Sequence, residues 1–231
     1  MYSTLSTMLQ SYGFWIIILG IIGMAQKKQA GEPPEWRKRA LTKEQQMLVN
    51  NQYKAYRQEV YRDYPQVDRF EKTKRTWAFS LTLIYFITAV MRNFALNESM
   101  GMSAAPAAMA LSIFMQFCGS WIILGVILTA MGPKWKFAFL LYFIGIVQLI
   151  SYISTTINSG LDSWDMFRLV YIQGFQYYPI SVIADLLSMV YTVLLLLVAV
   201  WLTVFKSNRE LAEQSDELNT QMNKNFVPTG I

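Results

Sequence analysis

The stretch YYPISVIADLLSMVYTVLLLLVAVWLTVFK, residues 177–206, decides the architecture. From Ile180 to Phe205 it carries a single charge, Asp185. A nearly uncharged run of eighteen or more residues is long enough to cross the ~30 Å hydrocarbon core of a bilayer. The rest of the chain agrees. Of 231 residues, 54% are hydrophobic and 15% charged, and the charges gather in blocks, whereas a soluble domain scatters them along every element. The sequence therefore predicts an all-α integral membrane protein.

Working outward, four more apolar runs emerge: YGFWIIILGIIGMA (12–25), WAFSLTLIYFITAVMRNFAL (77–96), SAAPAAMALSIFMQFCGSWIILGVILTAM (103–131) and FAFLLYFIGIVQLISYISTTI (137–157). Five transmembrane helices are thus expected. Residues 1–26 form an N-terminal anchor helix, 27–76 a basic helical segment, 77–205 a four-helix bundle, and 206–231 a tail that is helical and then disordered. No basic residue precedes the first run, so it reads as a retained anchor rather than an export signal.

Orientation follows from the basic residues. Eighteen of the twenty Lys and Arg fall in the segment from Lys27 to Arg75, in the turn holding Lys134 and Lys136, or in the tail. Such a bias marks those segments as cytoplasmic. The N-terminus is then outside, the C-terminus inside, and the cell membrane is the expected location.

Composition also limits the chemistry. Histidine is absent and Cys118 is the single cysteine, which removes His-based general bases, histidine metal sites and an internal disulfide. There is no Gly-rich phosphate loop and no G-x-S-x-G motif. Neither a cofactor nor a metal is expected, and the sequence points away from an enzyme. Nucleic acid is not an expected partner, because the topology rule accounts for the positive charge.

Two surfaces suit contact with a protein partner or a second copy of the chain. In 27–76, Thr42 followed by Gln45 signals a capped helix start. Val49, Tyr53, Tyr56, Val60 and Tyr64 then recur down one face. Pro65 ends that helix, and a second from about Val67 leads into span two. In the tail, a helix continuing span five would place Val204, Leu211 and Leu218 seven apart, a short coiled-coil seam with Ser215 and Met222. The alternative for the tyrosine face is packing against the protein's own span ends. On the other side of the membrane, an interfacial helix near 163–172, started by Asp162 and rich in aromatics, lies over the bundle.

The aspartate of the opening stretch has company. Ser181, Asp185, Ser188 and Thr192 share one helical face; Gln148, Ser151, Tyr152 and Thr155 share another; Gln116 belongs to a third with Ser112 and Ser120. Lipid penalises each stripe separately, so the stripes should face one another. Depth sharpens this. Arg92 lies fifteen residues into its span, about 8 Å short of the outer surface at 1.5 Å per residue. Asp185 lies five residues in from the outer end of its own span, about 7.5 Å deep. Two opposite charges at one level should pair or share a pocket opening outward. Arg92 snorkelling to the headgroups is the competing arrangement.

An outside N-terminus, one span, a basic helical segment of about fifty residues and four more spans looks like the topology of the YidC-family insertases. That resemblance implies a membrane chaperone with an arginine in a cytoplasm-facing groove. Here YGFWIIILGIIGMA carries no charge, and the polar stripes cluster towards the outer half. The sequence reading favoured first is a non-catalytic component or accessory subunit of a membrane protein complex. The second is a small transporter or channel subunit using the pocket around Asp185 and Arg92.

Overall fold

Thr42 begins the first helix among the described residues, as its spacing predicts. Its Oγ1 accepts the Gln45 N–H at 3.3 Å, and Gln45 Oε1 accepts the Thr42 N–H at 3.0 Å, closing a reciprocal capping box. The computed structural model describes residues 41–99, 106–132, 135–158 and 162–230. The first apolar run, and with it the anchor helix, lies outside those residues, as do residues 27–40. Eight α-helices run through the described part: α1 (Lys43–Asp63), α2 (Pro65–Ser99), α3 (Pro106–Ala130), α4 (Phe139–Asn158), α5 (Ser163–Phe167), α6 (Gly174–Tyr177), α7 (Pro179–Thr203) and α8 (Lys206–Asn225). There is no strand among the described residues.

Three of these helices contain segments long and apolar enough to cross a membrane: Pro65–Ala95, Met109–Ala130 and Pro179–Thr203. A fourth apolar stretch, Phe139–Ser154, is shorter. Pro65 both ends α1 and starts α2, where its missing N–H costs nothing. From there α2 runs unbroken for 35 residues, so the short helix expected at Val67 and the apolar run at 77–96 are one element.

The bundle is assembled around the pair α2 and α7, with α3 against the other side of α2 and α4 against α7. Leu81, Ile127, Leu141 and Leu195 are fully enclosed at its centre. A Cβ on Gly145 of α4 would lie 2.5 Å from Leu196 Cδ2 of α7, so any larger residue there makes the Leu196 side chain shift. Large apolar side chains such as Phe79, Phe114, Trp121, Phe143 and Ile150 stand exposed around the outside, as lipid-facing residues do.

Two threonines inside the bundle satisfy themselves locally. Thr82 and Thr88 donate to the carbonyls of Ala78 and Ile84, one turn back, each at 2.8 Å. Such back-bonding lets a hydroxyl sit in a helix without seeking water.

At one end of the bundle α1, the start of α2 and α8 form a polar head, and here the tail departs from expectation. Helix α7 does not continue into the tail as one helix: Phe205 is extended, with ψ of 114°. That break separates Val204 from the seam and turns α8 back onto α2. Nor is the end of the chain loose. Phe226 is buried, with ring centroids 5.1 Å from Tyr53 and 5.7 Å from Tyr56, and Gln52 Nε2 donates to the Thr229 carbonyl at 3.0 Å. Phe226 and Met222 hold it there, each bringing on the order of 2 kcal/mol of apolar burial.

The interfacial element is longer than residues 163–172. It begins at Ser163, after Asp162, whose carbonyl accepts the Met166 N–H at 2.9 Å. It then widens into π-type turns over Arg168–Gln173 and ends at Tyr177. Trp164, Phe167 and Tyr171 stack in sequence along it.

Candidate functional site

Three helices bring their polar stripes together. From α2, Arg92 Nη2 donates to Ser188 Oγ of α7 at 3.1 Å and reaches Asp185 Oδ1 at 3.5 Å. From α4, the Tyr152 hydroxyl donates to the same Ser188 Oγ. One turn along α7, Thr192 Oγ1 donates to Gln148 Oε1 of α4 at 2.7 Å. Spacings of three and four residues on α7 put Asp185, Ser188 and Thr192 on one face, and α2 and α4 flank α7 there. Ser188 is the buried node of the network.

The charged pair is loose. An Arg–carboxylate contact at its best is 2.7–2.9 Å, whereas this one is 3.5 Å with the side chains 51% and 40% exposed. Two half-exposed charges stabilise each other weakly. Removing either with alanine should cost on the order of 1 kcal/mol rather than the several expected of a fully enclosed pair. In thermal unfolding of the purified protein, Arg92→Asp/Asp185→Arg should recover part of that loss. An exchanged pair no better than the single variants would rule out direct pairing.

The remaining stripe residues fall as follows. Ser181 lines a cavity with Asp185. Gln116 is buried on α3, one turn before Ser120, whose hydroxyl donates to the Phe117 carbonyl at 2.7 Å. The side chains of Ser151 and Thr155 lie outside the described residues.

The sequence did not single out the wall opposite Asp185. A cavity of about 390 Å³ opens between the interfacial element and the start of α7, lined by Leu169, Val170, Gln173, Gly174, Tyr177, Tyr178, Ser181, Val182 and Asp185. Tyr171, on the same element, points its hydroxyl to Met189 Sδ of α7 at 3.5 Å. Burial pushes the Tyr171 phenol up from its usual range, and the nearby Asp185 and Tyr152 add to the shift. It remains a neutral donor at any physiological pH.

A second polar cluster, also unforeseen, ties the head to the bundle. Glu71 and Lys74 of α2 form an ion pair with side chains only 15% and 6% exposed. Ser215 of α8 donates to Glu71 Oε1 at 2.7 Å, and the ammonium lies 5.2 Å above the Phe70 ring. Ser215 at a seam position where a hydrophobe is usual was the available signal.

The predicted contact faces meet each other. Tyr56, Val60 and Leu211 pack around a core of Tyr61, Val67, Leu218 and Met222, and the Tyr53 hydroxyl donates to Asn223 at 3.1 Å. Val49 is buried, while Tyr64, at the end of α1, stays exposed. Among the described residues no group of three or more His, Cys, Asp or Glu could hold a metal ion. Compared with known proteins, the chain matches no family model, no curated protein and no solved structure.

Proposed function

We propose that this is a five-span protein of the cell membrane, N-terminus outside and C-terminus in the cytoplasm, acting non-catalytically as a component of a membrane protein complex. The observation that carries this reading is the head. It is a folded module with its own core, continuous with the spans through α2, and the positive-inside rule assigns it to the cytoplasm. The tyrosine face and the tail seam are used within the chain, so the contact surface is the side they leave open. Met47 and Leu48 stand there 61% and 44% exposed, on a helix otherwise rich in charge.

The test is purification of the full chain in mild detergent. A stoichiometric partner that is lost from Met47→Lys/Leu48→Lys, with the chain still monodisperse, supports the proposal. A lone oligomer, unaffected by those changes, overturns it.

The cavity against Asp185 favours a second reading, a ligand-binding or transport subunit with an outward-facing site.

A further inference from the structure

We infer that the cavity between the interfacial element and α7 is a binding site for an organic ammonium group, held by the Asp185 carboxylate and the rings of Tyr177 and Tyr178. The inference rests on the second reading above and gives its site a ligand class.

Charge comes first. Asp185 is the one ionisable acid in the lining, and no Lys or Arg lines the cavity. Arg92 approaches the carboxylate from α2, and at 3.5 Å with 40% of the Asp185 side chain exposed it leaves the negative charge only partly answered. An anion would meet that charge unaided. A metal ion would need several hard ligands, and one carboxylate with a hydroxyl and an amide is too few.

Shape and lining select further. Ligand sites commonly span ~300–1,000 Å³, and this cavity, at about 390 Å³, suits a small organic molecule. Tyr177 and Tyr178 line it with aromatic rings, which attract cations without demanding hydrogen bonds. Leu169, Val170 and Val182 supply apolar walls for the carbon around the nitrogen. The backbone is shaped for this space: the π-type turns of Arg168–Gln173 lie along it, and such turns recur at functional sites. The same chemistry fits a free ammonium solute such as choline or the ethanolamine headgroup of a lipid.

The experiment uses the full chain in nanodiscs of phosphatidylglycerol, which has no ammonium group, with choline titrated calorimetrically at constant ionic strength. Saturable binding is expected, weakened about tenfold or more by Asp185→Asn. Tyr178→Leu, which leaves the ion pair intact, should weaken it about threefold. Tyr178→Leu also keeps the test decisive if Asp185→Asn misfolds. Exchanging half the lipid for phosphatidylethanolamine separates the sources. Reduced choline affinity identifies the headgroup as occupant, and unchanged affinity identifies a free ammonium solute. No saturable binding of choline or ethanolamine, or equal affinity in wild type and both variants, overturns the inference. A different small solute bound with Asp185 dependence would then leave the ligand-binding reading standing without the ammonium.

Discussion

Glu71→Ala should be among the most damaging single changes in the described structure, lowering stability by about 3–5 kcal/mol. The substitution leaves the Lys74 ammonium, 6% exposed, without its counter-charge, and takes the acceptor from Ser215. Charge removed from water and left unanswered costs far more than the pair itself contributes. Glu71→Gln/Lys74→Met, which empties the site of both charges at similar volume, should therefore lie within about 1 kcal/mol of wild type. Thermal unfolding of the purified chain in one detergent compares the three proteins. A single variant as stable as the double would show that Lys74 reaches water, contrary to its burial.

Removing residues 222–231 should release α1 from the head. The deletion takes Met222, 1% exposed, and Phe226, 6% exposed, together with the bonds from Tyr53 to Asn223 and from Gln52 to Thr229. Phe226→Ala alone should cost about 3–5 kcal/mol, the usual loss for an enclosed phenylalanine. Trypsin reads the outcome directly. Cleavage after Lys54 and Arg57 should accelerate at least tenfold in the truncated chain, because protection follows the free energy of local opening. Unchanged cleavage would mean that α1 is held by α2 alone.

Much of the membrane part was legible because its governing quantities are periodic. A fixed 1.5 Å rise placed Arg92 and Asp185 at one depth, and 3.6 residues per turn put Ser188 and Thr192 on the face of Asp185. Lipid adds pressure by penalising polar stripes that do not meet. The head was less legible. Glu71 and Lys74, three apart in a basic helix, look like any solvated pair until α8 folds back over them. That return depends on a break at Phe205, where neither proline nor glycine marks the chain. The cavity wall was hidden for a related reason. Tyr177 and Tyr178 read as interface aromatics, and nothing in their spacing tells which way the wide turns before them aim the rings.

The 35 uninterrupted residues of α2 carry a mechanical consequence. Glu71 and Arg92 are twenty-one positions apart, nearly six turns, so they lie about 31 Å apart along the axis. Glu71 holds Ser215 of α8 and Arg92 holds Ser188 of α7, and no hinge lies between the two grips on the α2 side. A rotation imposed at one grip is therefore delivered to the other as torque on a stiff lever, with the joint at Phe205 the place where the opposing arm can yield.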